Sequence, residues 1–317
     1  MDHFPRIGII GIGAMGCLFA ARLSPLASVT LLGHWPAQLQ AVRHAGLALI
    51  TPEGETVHRR VPAVESTTAE APVDLALILV KSHQTTTAAE AARLWLAPAG
   101  IAITLQNGLG NREILAAALG PGRVGLGITT EGATIVRPGV VRHAGRGMTH
   151  LAAPAGAATT PLVAALAALL RQAGFTTHLV EHVDSLVWGK LAVNAGINPL
   201  TALLNVPNGY LAQDPRARRI MMAAAAETAA VAAAQGIPLP YASAPQRALA
   251  VAQATAANHS SMLQDVRQGR PTEIEAICGA IARVGQQWSV PTPVNTALWR
   301  LVKALENSKI DGLSHIA

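Results

Sequence analysis

A glycine-rich turn near the N-terminus restricts the fold of this chain more than any other feature. The apolar segment Arg6–Ile10 predicts a β-strand, Gly11-Ile-Gly-Ala-Met-Gly16 follows directly, and an amphipathic helix pattern continues to about Leu23. In such a strand–turn–helix, Gly11 permits the tight turn, Gly13 lets a pyrophosphate approach the backbone, and Gly16 allows close helix–strand packing. The N–H groups at the helix N-terminus then bind phosphate. A plain glycine-rich turn is the alternative, but the position between strand and helix favours a dinucleotide site.

Strand and helix patterns alternate through the first half of the chain, and strand patterns stop after about Val183. Continuous apolar runs typical of buried parallel strands occur at Asp74–Val80 and Ile101–Gln106. Further strands are predicted at Ser28–Gly33, Val124–Thr130, Val140–His143, His150–Ala153 and Thr176–Val180. Helices without strands are predicted at Asp184–Asn198, Pro215–Gly236, Ser243–Gln268, Thr272–Trp288 and Thr292–Leu305.

This alternation predicts an α/β protein with two domains. Strands that alternate with helices of about 10–15 residues indicate a doubly wound, mostly parallel sheet. We therefore predict an N-terminal Rossmann-type domain in residues 1–182, followed by an all-helical C-terminal domain in residues 183–317. Its alanine-rich helices would suit a homodimer.

Charge, aromatic content and cysteines narrow the class of protein. The net charge is +6, but only 3% of residues are aromatic, so few rings could stack on bases and we expect no nucleic acid. The basic excess suits an anionic cofactor and substrate. No stretch reaches the roughly 18 apolar residues of a membrane span. Cys17, Cys278 and His259 lack neighbours at metal-ligand spacing, so we predict no metal. Two cysteines cannot form a disulfide framework, so we predict a cytoplasmic location.

The end of the second predicted strand bears on which dinucleotide binds. NAD sites usually place Asp or Glu there, about 20 residues beyond the glycine turn, to hold the ribose 2′-hydroxyl. Here the segment reads Leu31-Leu-Gly-His-Trp35, and no acidic residue follows until Glu53. The side chains of His34, Arg43 and His44 are cationic or can become so. An anionic 2′-phosphate is therefore tolerated, and we predict NADP.

Lys81 and Asn107 each follow a predicted strand of the sheet. Ligands of open α/β sheets bind outside the carboxyl ends of the strands. These two side chains would then face the nicotinamide half of the cofactor and the substrate. A surface lysine and a turn asparagine are the alternatives, but two polar residues at equivalent strand ends favour a site.

The segment Trp188–Gly209 places polar side chains in an apolar helix. Spacings of four and eight residues bring Lys190, Asn194 and Asn198 within roughly 80° of one another around the helix axis. A buried, unpaired amide costs about 1–3 kcal/mol, so the stripe either faces a ligand or is satisfied by neighbouring backbone. Only four of the 24 basic side chains are lysine. A lysine at an apolar position of so arginine-rich a chain points to acid–base chemistry, because arginine stays protonated.

Together these residues resemble the ketopantoate reductase (2-dehydropantoate 2-reductase) family over nearly the whole chain. The resemblance is carried by the glycine turn, Lys81, the Gln-Asn-Gly block at Asn107, and the segments Trp188–Gly209, Asn258–Asp265 and Pro271–Glu275. It implies NADPH as the cofactor, a Rossmann domain followed by a helical domain, and reduction of a small 2-oxo acid in the pathway to pantothenate and coenzyme A.

The resemblance also implies residue roles. Lys190 would be the general acid, with Glu273 beside it holding the ammonium charged. Substrate contacts are expected from Asn107, Lys190, Asn194, Asn198, Asn208, Asn258 and Ser261. Cofactor contacts are expected from Gly11, Ile12, Gly13, Ala14, Met15, Gly16, His34, Lys81, Asn107, Ala133 and Glu273.

Two predicted site features have structural alternatives. Glu273 would lie in the first turn of a helix capped by Thr272, with Glu275 completing a capping box, and an acid there also favours the helix dipole. Asn258 and Ser261, three residues apart on one predicted helix face, could be ordinary surface residues.

One departure from the family pattern affects the cofactor. The family often has an arginine just after the second strand, where this chain has His34. A neutral imidazole binds phosphate less strongly than a guanidinium, so the preference for NADPH would be smaller, or Arg43 would take over the contact. The alternatives to ketopantoate reduction are a related reductase of another branched 2-oxo acid and a non-catalytic NADP(H) sensor.

Overall fold

The computed structural model describes residues 5–65, 71–154 and 160–310, which form two compact units. The first unit ends at Val183, and the second begins at Asp184. Asn107–Gly110 belongs to the second unit although the chain on both sides of it belongs to the first. The sequence indicates an uninterrupted N-terminal domain, because nothing local marks these four residues as part of another unit.

The first unit contains both strands and helices. In chain order its elements are β1 (Ile7–Ile10), α1 (Ala14–Leu23), β2 (Val29–Leu32), α2 (Pro36–Ala45), β3 (Leu47–Ile50), β4 (Thr56–Arg59), β5 (Ala63–Val64), β6 (Val73–Ile78), α3 (Thr85–Trp95), β7 (Leu96–Thr104), α4 (Asn111–Leu119), β8 (Val124–Thr129), β9 (Gly132–Arg137), β10 (Val140–Gly145), β11 (Met148–Ala152), α5 (Thr160–Gln172) and β12 (Thr176–Leu179).

The larger sheet has the strand order β12-β11-β8-β7-β6-β1-β2-β5 among the described residues. All neighbouring strands are parallel except β8 and β11. The central strand β6 is almost wholly apolar and buried, because helices cover both faces: α1 and α5 pack on one side, α3 and α4 on the other. The predicted doubly wound, mostly parallel sheet is confirmed.

A second, smaller sheet was not predicted. Its order is β4-β3-β10-β9 in the part of the chain that the structure describes, so the predicted strand Val140–His143 does not join the main sheet. β10 pairs in parallel with β3, from Val140 opposite Ala48 onward. The short strands β3 and β4 carry little local signal, and the pairing of β3 with β10 joins residues nearly a hundred positions apart. Sequence periodicity cannot report such pairing.

The second unit is helical, as predicted. Its elements are α6 (Asp184–Leu204), α7 (Tyr210–Gln213), α8 (Pro215–Ala234), α9 (Ala244–Ala254), α10 (Ser261–Arg267), a π-helical turn (Glu275–Gly279), α11 (Ala280–Gln287) and α12 (Pro293–Ile310). Its core is formed by apolar residues of α6, α8, α9 and the π-helical turn. Among the described residues, no helix has the length and apolar character needed to cross a membrane.

The prediction of one helix over Ser243–Gln268 was wrong. The helix breaks between α9 and α10, and Ser260 caps α10 by accepting a hydrogen bond from the Leu263 N–H (3.1 Å). Asn258 therefore lies in the connection and does not share a helix face with Ser261. The cause is tertiary, because the Asn258 carbonyl accepts from the Asn208 N–H (2.9 Å) rather than continuing a helix.

Candidate active site

The glycine turn of the first unit has the conformation that a phosphate site requires. Gly11 has a φ of +126°, and a Cβ on Gly16 would lie 1.7 Å from the Gly11 carbonyl oxygen. By contrast, Gly13 has open space where a side chain would stand. Gly13 is the N-cap of α1 and offers no side-chain cap, so the first N–H groups of that helix are available to an anion.

The expected contacts for the 2′-phosphate lie on an exposed surface. His34 is exposed just before α2. Arg43 and His44 line a cavity of about 540 Å³ together with Glu65. The Arg43 Nε donates to the Ala63 carbonyl (2.8 Å), which holds the guanidinium at this wall. The sequence did not indicate that the acidic Glu65 would line the same cavity. Its negative charge would repel a bound phosphate.

The other residues of this unit that were predicted to contact the cofactor lie on separate elements. Lys81 is half-buried three residues beyond β6, where it precedes a short 3₁₀ turn, Ser82–Gln84. Ala133 lies in β9 of the smaller sheet, opposite His143 of β10. It packs against the apolar core that α1 shares. Ile12, Ala14 and Met15 belong to the glycine turn and the start of α1.

In the second unit, α6 carries the predicted polar stripe. The helix runs without interruption through Lys190, Asn194 and Asn198; the first two are partly buried and Asn198 is 8% exposed. Burial lowers the pKa of Lys190 to about 8, while the charge of Glu273 raises it. A lysine in this range can both donate and accept a proton near neutral pH.

A proline inside α6 is accommodated by a neighbouring cysteine. Pro199 has no N–H, so the Ala195 carbonyl loses its usual helix partner. The Cys278 thiol, in the π-helical turn, lies 4.0 Å from that carbonyl oxygen and can donate weakly to it. Burial raises the pKa of the Cys278 thiol, so it keeps its hydrogen. The contact links the stripe-bearing helix to the turn that follows Glu273.

Glu273 is held by the segment that the second unit takes from the first half of the chain. It is 4% exposed, and the Asn107 side-chain amide donates to its Oε2 (3.0 Å). The Leu109 N–H donates to the Ala276 carbonyl in the π-helical turn (2.9 Å). Gly108 has a φ of +82°, and a Cβ there would lie 2.4 Å from the same oxygen. The close approach of this loop therefore requires glycine.

The capping-box explanation of Glu273 does not describe the structure. The Glu275 carboxylate accepts from the Trp299 indole N–H (2.9 Å) and from Arg283 (3.1 Å) instead of returning to the Thr272 N–H. That N–H donates to Glu306 of α12 (2.7 Å). The predicted helix start is a π-helical turn, a feature that often accompanies functional sites. Glu273 is thus a buried carboxylate facing Asn107 and the Lys190 charge.

The other predicted substrate residues differ in burial. Asn208 is buried, and its amide donates to Thr255 Oγ1 (2.9 Å), so it holds the connection after α9. Asn258 and Ser261 are exposed. The neighbouring Ser260, which the sequence did not single out, is buried and accepts from Thr201 Oγ1 (2.7 Å).

The fold and these features define a class of protein. A glycine turn at the carboxyl end of a parallel sheet is the arrangement of nucleotide-dependent oxidoreductases. The helical unit contains a lysine of lowered pKa near a carboxylate, a combination that can donate a proton.

Comparison with known proteins identifies the family. The family described as "Ketopantoate reductase PanE/ApbA" matches residues 7–156, and its C-terminal counterpart matches residues 182–306. The chain belongs to the ketopantoate reductase family. A 2-dehydropantoate 2-reductase of Halobacterium salinarum is 38% identical over 94% of this chain and 98% of its own length. One of Archaeoglobus fulgidus is 33% identical over 95% and 98%.

Two solved structures are similar over almost their entire length. A PanE/ApbA family ketopantoate reductase from Ralstonia eutropha JMP134 superimposes with a TM-score of 0.88, at 30% identity over 96% of this chain and 99% of its own. D-mandelate dehydrogenase, solved with NADH and anilino(oxo)acetate, also has a TM-score of 0.88, at 27% identity over 96% and 99%.

Proposed function

We propose that the protein reduces 2-dehydropantoate (ketopantoate) to pantoate with NADPH, in the pathway to pantothenate and coenzyme A. The observation that carries the proposal is the partly buried Lys190, whose pKa is lowered to about 8, beside a Glu273 carboxylate held by Asn107. Membership of the ketopantoate reductase family supports the substrate and the cofactor.

The residues of the glycine turn fit a dinucleotide. The open space at Gly13 admits a pyrophosphate, whereas the absence of a side chain at Gly16 permits the close approach of the helix N-terminus to the glycine turn. Lys81, Ala133 and His34 are the further residues of the first unit that we assign to the cofactor. When bound, reduced nicotinamide supplies hydride to the carbonyl carbon of the substrate.

The chain supplies the proton and the orientation. Negative charge builds on the substrate's carbonyl oxygen, and Lys190 donates a proton to it, which contributes about 10²–10⁴-fold to the rate. Glu273 keeps the ammonium charged before the transfer. Asn194, Asn198 and Ser261 orient the carboxylate and hydroxyl without adding a charge that competes with the proton donor.

The first experiment follows NADPH oxidation by the purified protein with ketopantoate, beside other 2-oxo acids and with NADH in parallel. Lys190→Ala should lower kcat at least about a hundredfold and leave NADPH affinity nearly intact. Lys303→Ala is the matched control, because Lys303 pairs with Glu306 on α12 (2.7 Å). Near-normal turnover by Lys190→Ala would remove this lysine from the mechanism.

A second candidate is the NADH-dependent reduction of another branched 2-oxo acid. It is favoured by the similarity to D-mandelate dehydrogenase, which was solved with NADH, and by the histidine at position 34. Higher kcat/KM with another acid or with NADH would select it. Tight NADPH binding without any turnover would instead indicate a sensor. A cytoplasmic location and a homodimer stay predictions, and gel filtration tests the latter.

A further inference from the structure

Gln106 lies in the loop after β7 and bonds to the connection after β6, and these two strands are the central strands of the larger sheet. Its amide nitrogen donates to the Val80 carbonyl (3.0 Å), beyond β6, and to Thr85 Oγ1 (2.9 Å) at the start of α3. Its Oε1 accepts from Thr104 Oγ1 (2.9 Å) at the end of β7. Both amide hydrogens and the oxygen therefore have partners, which sets the orientation of the side chain.

Thr85 extends this network into α4. It is fully buried, and its hydroxyl lies 2.8 Å from both the Ser82 carbonyl and Asn111 Oδ1. A hydroxyl has one hydrogen, so it donates to one of these two while accepting from Gln106. Thr104 and Asn111 are buried as well. Removal of any member would leave buried polar groups unpaired, so the network is expected to be rigid.

The network holds the backbone on which two predicted site residues stand. Lys81 lies between Val80 and Ser82, whose carbonyls face Gln106 and Thr85. Asn107 directly follows Gln106 in the chain. A shift of Gln106 would therefore move Lys81 through the hydrogen bond to the Val80–Lys81 peptide, and it would move Asn107 through the peptide bond that joins the two residues.

We infer that Gln106 is a positioning residue, which sets the places of Lys81 and Asn107 without touching the reacting atoms. The inference rests on the proposed function for the roles of those two residues. Rotations at either peptide would displace their side chains, and displacements of about 1 Å can cost about a hundredfold in rate.

The test compares half-buried Gln106 with Gln38, a buried glutamine of the same unit. Gln106→Met keeps the length of the side chain and removes its hydrogen bonds. Gln38→Met is the matched control, because Gln38 bonds to Cys17 Sγ (3.0 Å) and to the Gly139 N–H (2.9 Å) and reaches neither loop. Amide hydrogen exchange at 80–85 and 107–111 should accelerate at least about tenfold in Gln106→Met and stay unchanged in Gln38→Met. Equal exchange in the two variants would overturn the inference.

Kinetics provide the second readout. Gln106→Met should lower kcat about 10–100-fold, with a loss of Tm no greater than that of Gln38→Met, whose kcat should stay within about twofold of wild type. Parallel losses of kcat and Tm in both variants would show a merely structural role. If the wild-type protein reduces no 2-oxo acid, the proposed function fails, while the exchange measurement still decides the role of Gln106.

Variants at Thr85 keep the inference testable should Gln106→Met not fold. Thr85→Val removes the hydroxyl that joins Gln106 to Ser82 and Asn111, whereas Thr85→Ser retains it. We expect Thr85→Ser to retain at least about half of the wild-type kcat. We expect Thr85→Val to show accelerated amide exchange at 80–85 and 107–111. Wild-type exchange and kcat in Thr85→Val would refute the positioning role.

Discussion

The pH dependence of reduction tests the proposed acid directly. Burial lowers the pKa of Lys190 from 10.5 to about 8, and the charge of Glu273 limits the fall. Such a shift corresponds to about 3 kcal/mol against the charged form, at about 1.4 kcal/mol per pKa unit. A general acid must be protonated when the substrate arrives, so kcat/KM for reduction falls as pH rises through this pKa.

The size of the effect follows from the pKa. With a pKa of about 8, Lys190 is about nine-tenths protonated at pH 7 and about one-tenth protonated at pH 9. kcat/KM for reduction should therefore fall about tenfold over those two pH units. An ordinary lysine would stay almost fully protonated and give a nearly flat profile. Oxidation of the 2-hydroxy acid needs the neutral amine, so it should rise over the same range.

Glu273→Gln is the perturbation that isolates the source of the shift. The amide keeps the shape of the side chain but removes the charge that favours the ammonium, so the pKa of Lys190 falls further. The descending limb of the profile should move to lower pH. Glu90→Gln, an exposed glutamate on α3, is the control and should leave the profile in place.

The assay measures kcat/KM by NADPH absorbance from about pH 6 to about pH 10, because this quantity reports the pKa of the free enzyme. If kcat/KM of the wild-type protein begins to fall only near pH 10.5, the pKa of Lys190 is not lowered, and the proposed effect of its burial is refuted. A Glu273→Gln limb displaced to higher pH would refute the assigned charge interaction.

The remaining predictions concern the cofactor site and stability. His34→Arg should raise the ratio of NADPH to NADH affinity about tenfold, and an unchanged ratio of Kd values would show that another residue contacts the 2′-phosphate. Gly13→Ala should fold normally but bind NADPH poorly in a titration, whereas Gly16→Ala should lower Tm, since only the latter Cβ meets backbone, at 1.7 Å. Glu227→Ala should cost about 2–4 kcal/mol in urea unfolding, because Glu227 caps α12 through two backbone N–H groups (2.8 and 2.9 Å). Glu90→Ala should cost almost nothing, and equal losses in the two would exclude the cap.

The ends and irregular turns of helices are features that the local sequence pattern did not predict. The predicted helix runs on through 255–260, yet α9 ends at Ala254 because the following backbone pairs with Asn208 and Gly209. Similarly, nothing before Gly279 indicates a π-helical turn, whose Ala276 carbonyl accepts from Leu109. In both cases a distant backbone group competes with the next helical hydrogen bond, and only the folded chain reveals that group.

The sequence by itself determined the doubly wound sheet, the helical second unit and the polar face of α6. These depend on local causes: the period of apolar residues, glycines with special conformations, and spacings of three or four residues along a helix. The family could also be recognised, because its motifs are contiguous.

Only the tertiary structure decided which groups meet. It brought Asn107 to Glu273 across 166 residues, paired β3 with β10, and tied Gln106 to the connection between β6 and α3. It also decided between the two interpretations of Glu273, in favour of a buried carboxylate near the Lys190 charge over a first-turn residue of a helix with a capping box. Contacts of this kind are selected by the burial and hydrogen bonding of the whole chain, and no local pattern of residues encodes them.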